Sequence, residues 1–228
     1  MSKTLLAIGA HYDDCVFGIP GTLLKAVKKG YRVVVLSVIG DYRNWSPVGP
    51  DRHDAFIEGV QRICRDRGVE IRFLNYRSMG FSVNEESRGA VCEVVADVQP
   101  DVGLLLWPHD THPDHEVTSA LSKIAFQWSS AVLEKPGIRR PSRLYYYDNG
   151  PRHTIGFEPD TFLDISDVWV DAAYWLGLLM ALVFGEDSRS ASGAVEAKEA
   201  LAVYRGKTAG VQYSEALRSF VRYPVEIL

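Results

Sequence analysis

The chain has 228 residues, 46% hydrophobic and 24% charged, with a formal net charge of −4. That composition suits one globular α/β domain, 1–228, able to bury a core without disulfide staples, and it lacks the basic field that nucleic acid or anionic lipid would demand. The three cysteines are an odd number without Cys-x-x-Cys spacing, so they read as free thiols in a reducing, cytoplasmic compartment. The apolar runs at the start and at 172–185 (AAYWLGLLMALVFG) are too short for a membrane span, and the opening run is also too short for a signal peptide.

In chain order, Thr4–Ala10 is an uninterrupted apolar run, as expected of a strand covered on both faces. Thr22–Lys29 carries Leu23, Leu24 and Val27 at helical spacing and stops at Gly30. Arg32–Ile39 (RVVVLSVI) is the next buried strand, and a long loop, Gly40–Pro50, leads to a helix over Asp51–Arg67 with Gly68 at its stop. Val69–Asn75 is a third strand. Asn84 followed by Glu85 and Glu86 opens a helix with acids where its dipole favours them, running to Gln99 and Pro100. Val102–Trp107 is the fourth strand, His115–Leu133 a helix, and Arg143–Asp148 and Thr161–Ile165 further strands. From Val168 onward the pattern is mainly helical. This alternation predicts an α/β fold: a Rossmann-like three-layer sandwich with a mostly parallel sheet.

Open parallel sheets gather ligands beyond the carboxyl ends of their strands. Polar residues crowd those positions here. His11, Asp13 and Asp14 follow the first strand and Asp41 the second. His109, Asp110, His112, Asp114 and His115 follow the fourth, and Asp148 and Asn149 the fifth. Imidazole and carboxylate suit Zn²⁺ or another divalent first-row metal. His11 and Asp14, three apart at a turn opening a helix, point the same way, which leaves Asp13 free of the metal. One imidazole from HDTHPDH would make three protein ligands with room for water, the count of a catalytic site. A free carboxylate beside such a water is placed to take its proton. HYDD by itself also suits an ordinary helix start, so the inference rests on both segments reaching one crevice. His153, in NGPRHTIGFEPD, either reaches a substrate or is a loop residue without a task. Trp45 either stacks on a sugar ring or anchors its loop, and Cys15 reads as a small buried side chain.

The stretch GAHYDDCVFGIPGTLLKAVKKGYRVVVLSVIGD resembles the opening of the LmbE-like, or PIG-L, family of metal-dependent N-deacetylases. HPDH at 112–115 resembles the family's second motif, and FLDISD (162–167) and YRGKTAGVQYSEALRSF (204–220) its C-terminal elements. The resemblance implies His11, Asp14 and His115 as zinc ligands and Asp13 as general base. It implies His112 as the group that steadies the oxyanion, and Asp114 as one that orients an imidazole. Arg52 and Asp41, like His153, are then candidates for substrate binding. The implied activity is hydrolysis of an N-acyl amide, foremost removal of acetyl from an N-acetylated amino sugar or related glycoconjugate. A hydrolase of a different amide or ester, and a non-catalytic metal-binding protein of the same fold, are the alternatives. Departures keep them open: Tyr12 stands where the family has proline, Cys15 where it has glutamate, and Pro20 where it has glycine. The partner expected is a small molecule, with neither nucleic acid nor a membrane span, and a homo-oligomer is compatible with the sequence. A dinucleotide-binding oxidoreductase is disfavoured, because the first turn lacks Gly-x-Gly-x-x-Gly and carries acids that would repel a pyrophosphate.

Overall fold

The structure, a computed structural model, describes residues 2–186 and 188–224. Among them run β1 (Thr4–Gly9), α1 (Asp14–Gly18), α2 (Pro20–Lys28), β2 (Arg32–Ile39), α3 (Gly49–Arg65), β3 (Val69–Tyr76) and α4 (Glu85–Val98). There follow β4 (Val102–Leu106), α5 (Pro113–Val132), β5 (Arg143–Tyr147), β6 (Thr161–Asp164), α6 (Trp169–Phe184), α7 (Arg189–Ala209) and β7 (Ser214–Ser219). The strands form one sheet in the order β3-β2-β1-β4-β5-β7-β6. The first five in that order pair in parallel, while β7 runs antiparallel to both β5 and β6.

The apolar runs form central strands because the sheet is covered on both faces. Along β1, Leu5 and Ala7 pack with Val16, Leu23, Phe56, Trp175 and Leu176 on one side. Leu6 and Ile8, pointing the other way, pack with Val91, Val95, Leu121 and Phe126 of α4 and α5. Each such Leu, Ile or Val, fully buried, contributes roughly 1.5–3 kcal/mol, which outweighs the modest intrinsic preferences of the segments. The expected three-layer arrangement is therefore the observed one.

Three helix starts move toward the amino end, that of α3 to Gly49. Helix α2 begins at Pro20, which occupies the first turn and has no N–H to leave unsatisfied. Helix α5 begins at Pro113 for the same reason, making His112 its N-cap. Asn84 caps α4 as expected, through a reciprocal pair of hydrogen bonds with Ser87.

The C-terminal part is not helical throughout. After α6 and α7 the chain makes a further strand, β7, wedged between β5 and β6. Its sequence, SEALRS, hides this role because the buried Glu215 breaks any apolar pattern.

Strand order explains where the site lies. From β1 the chain moves outward through β2 to β3, then returns to the opposite flank of β1 as β4. The loops leaving β1 and β4 diverge at that reversal and open a crevice at the carboxyl edge of the sheet. The segment after β1 and the one after β4, about a hundred residues apart, are thereby neighbours.

Candidate active site

At this edge, β1 ends on Gly9, where a Cβ would stand 2.8 Å from Asp14 Cβ. Only glycine lets the turn fold back so closely. Asp14 Oδ2 then accepts the backbone N–H of Ala10 (2.7 Å) and His11 (2.8 Å), and Oδ1 accepts Nδ2–H of Asn149 (2.7 Å), which follows β5.

His115, on the first turns of α5, points at the same place. Its Nε2 is 3.3 Å from His11 Nδ1 and 3.2 Å from Asp14 Oδ1, and His11 Nδ1 is 3.5 Å from Asp14 Oδ2. Ligands at about 2.0–2.1 Å from a tetrahedral Zn²⁺ lie about 3.3 Å from one another. The three side chains thus have both the donor atoms and the spacing of a divalent-cation site.

Electrostatics point the same way. Burial would lower the pKa of His11, but Asp14 foremost, with Asp114, raises it to about 9. His115 is likewise pushed down by burial and raised, chiefly by Asp14 and Asp110, to about 10. Burial would raise Asp14, and the two imidazoles hold it well below the usual carboxylate range. A pocket that keeps protons on two buried imidazoles is one in which a bound cation would replace them.

Each imidazole has a carboxylate behind it. Asp114 Oδ2 lies 3.4 Å from His11 Nε2, and is itself held by the Ser78 hydroxyl (2.6 Å) and the Met79 N–H (3.0 Å). Asp110 Oδ1 lies 3.1 Å from His115 Nδ1 and accepts the His112 N–H at 2.8 Å. Asp114 therefore backs His11, and Asp110, noted from sequence only by its position, backs His115.

His112 is oriented from its own helix. Its Nδ1 accepts the Asp114 N–H at 3.2 Å, so the ring proton of the neutral form sits on Nε2. Burial, then His11 and His115, lower its pKa, which favours that neutral form. The ring stacks on His115 at 4.8 Å. Asp13 stands beside the cluster, and no hydrogen bond engages its carboxylate among the described residues. Burial, then Asp14, raise its pKa to about 6.

These groups line a cleft of about 450 Å³, together with Asp41, Tyr42, Trp45, Arg77, His153 and Phe184. Of the substrate-binding expectations, Asp41 and His153 reach the cleft. Arg52 does not: its guanidinium donates to the carbonyls of Pro47 and Leu182, tying the long loop to α6. Asp41 is gripped by Arg43 through two 2.9 Å bonds, which lower its pKa to about 2. His153 sits at the rim, its Nδ1 3.7 Å from Asp110. Cys15 is buried against the Tyr147 hydroxyl at 3.3 Å, as a small core side chain.

Sequence reasoning passed over Arg77 and Ser78, which follow β3, and gave Asn149 no role. Asn149 was marked only by its place after the fifth strand, and applying the same carboxyl-end rule to β3 would have flagged the other two.

The fold and the site together define an open-sheet α/β protein with a candidate divalent-cation centre at its switch point. The chain belongs to the GlcNAc-PI de-N-acetylase (PIG-L) family, whose pattern matches residues 6–126, just over half its length. It is similar to the diacetylchitobiose deacetylase of Thermococcus kodakarensis, 24% identical over 231 residues, covering 95% of this chain and 82% of that protein. The fold matches the crystal structure of the 4-carboxy-2-hydroxymuconate hydratase of Pseudomonas putida KT2440 with a TM-score of 0.80, at 21% identity and 99% coverage of both chains. It matches the N,N'-diacetylchitobiose deacetylase of Pyrococcus horikoshii with a TM-score of 0.78, at 22% identity, covering 96% of this chain and 84% of that one.

Proposed function

We propose that the protein is a zinc-dependent N-deacetylase that removes acetyl from an N-acetylated amino sugar or related glycoconjugate. The observation that carries this reading is the meeting of His11, Asp14 and His115 at metal-ligand spacing in an open cleft, with Asp13 unengaged beside them. His11, Asp14 and His115 would hold Zn²⁺ or another divalent first-row ion. When bound, such a cation acidifies a water and polarises an acyl oxygen.

The remaining work belongs to this chain's side chains. Asp13, half-buried and without a hydrogen bond of its own, takes the water's proton and passes it to the leaving amine. His112, with Nε2–H available, donates to the acyl oxygen as it gains negative charge. Trp45 offers an aromatic face for a sugar ring, backed by the buried Tyr42, and Asp41 and His153 offer polar contacts at the rim. Three buried, unpaired cysteines fit a reducing, cytoplasmic setting. Among the described residues no helix is long and apolar enough to cross a membrane.

The test is elemental analysis of purified protein paired with amine release from N-acetylated amino sugars, diacetylchitobiose included. We expect about one divalent ion per chain and amine release. Asp13→Asn should keep the ion and lose roughly 10²–10⁴-fold in kcat, the range of general acid–base catalysis. Wild-type turnover in that variant would remove Asp13 from the mechanism. Ion uptake without hydrolysis of any acyl amine would leave a metal-binding protein, and water addition to an unsaturated acid would instead make it a hydratase.

A further inference from the structure

The cleft has a positive group that deacetylation of a neutral sugar does not require. Among the described residues Arg77 is the one Lys or Arg lining it. Among the described residues no carboxylate lies within ion-pair reach of its guanidinium, whereas Arg43 and Arg205, near the same edge of the sheet, are each paired with an aspartate. The acids that line the cleft are placed elsewhere: Asp41 is paired with Arg43, and Asp13 and Asp14 stand at the candidate cation site.

Arg77 is held in place by its turn. Its neighbours Ser78 and Met79 grip Asp114, which backs His11, so Arg77 is tethered one residue from the support of the reaction centre. Its carbonyl accepts the Gly80 N–H at 3.0 Å. A Cβ on Gly80 would stand 2.5 Å from Arg77 Cγ and 3.0 Å from Nε, so the arginine stem lies folded across the bare glycine. Arg77 is an exposed residue of the cleft wall, so its guanidinium is free to meet a bound molecule, and among the described residues no protein anion occupies it.

We infer that Arg77 is a specificity-determining residue that binds an anionic group, carboxylate or phosphate, on the acylated amine the protein acts upon. The inference rests on the deacetylase reading for the reaction, but not for the binding. A guanidinium forms two parallel hydrogen bonds with either oxyanion, a stronger contact than it makes with a sugar hydroxyl.

The experiment compares N-acetylglucosamine with two probes built on the same ring: N-acetylmuramic acid, whose lactyl ether carries a carboxylate, and N-acetylglucosamine 6-phosphate, which carries a phosphate. Equilibrium binding is read by tryptophan fluorescence, with Trp45 in the cleft as reporter, and hydrolysis by amine release. Wild-type protein should bind at least one anionic probe about tenfold or more tighter than the neutral sugar, the scale of a charge-assisted hydrogen bond. Arg77→Met should abolish that preference, raising KM for the anionic probe with little change in kcat, and leave the neutral sugar unaffected. Arg77→Lys, which keeps the charge and loses the fork, should recover part of the preference. The probe that responds identifies the anion. Equal binding of all three sugars to wild-type protein, or an Arg77→Met variant that keeps the preference, overturns the inference. The binding readout decides this even where no probe is hydrolysed, in which case it is the deacetylase reading that fails.

Discussion

Asp14, His11 and His115 each have a partner that fixes which atom faces the cleft. Asn149 holds Asp14 at 2.7 Å, Asp114 backs His11 at 3.4 Å, and Asp110 backs His115 at 3.1 Å. A carboxylate on the far nitrogen of a liganding imidazole sets its tautomer and strengthens its donor nitrogen. Asp110 is thus a positioning residue for His115. Asp110→Ala should weaken Zn²⁺ affinity by about 10–100-fold, measured by competition with a chromophoric chelator. Asp110→Asn, which keeps an acceptor oxygen, should lose less. Unchanged affinity in the alanine variant would reduce Asp110 to a tether for the His112 backbone.

Among the elements, the junction of α1 and α2 depends on a pair that local sequence does not announce. Glu215, on β7, accepts the N–H groups of Gly21 (2.9 Å) and Thr22 (2.7 Å) and the Thr22 hydroxyl (2.6 Å), satisfying the buried start of α2. Lys198 of α7 donates to the Gly18 carbonyl at 2.7 Å and lies 3.1 Å from Glu215 Oε1. Both side chains are at most 2% exposed. Lys198→Met would strand a buried carboxylate and should cost about 3–5 kcal/mol in urea unfolding, the penalty for removing one member of a buried pair. Lys198→Met with Glu215→Gln removes the stranded charge and should recover part of the loss. A single variant as stable as wild type would show that the helix start alone satisfies Glu215.

At the scale of the molecule, the site joins the loop after β1 to the start of α5, two segments that meet only in the folded state. An ion that binds there and not to the unfolded chain stabilises the fold by about 2.7 kcal/mol at a hundred times its Kd. Added Zn²⁺ should therefore raise Tm in a thermal melt, and His11→Ala should abolish most of the rise. Equal rises in both proteins would mean that the ion binds elsewhere.

What the sequence determined by itself was the set of central strands and the polar residues gathered at their ends. Apolar runs such as LLAIG, RVVVLSVI and VGLLL read correctly because burial on both faces leaves an uninterrupted pattern in the local chain. His11, Asp14, His112 and His115 were legible as candidates because such residues directly after strands stand out against that pattern. Tertiary structure alone decided the rest. It turned Arg52 away to Pro47 and Leu182, brought Arg77 to the cleft, gave Asp110 to His115, and folded SEALRS into the sheet around a buried glutamate. The reason is physical: periodicity records whether a residue meets water. Which side chain it meets depends on the order of the strands, and that order is set by packing between segments far apart in the chain.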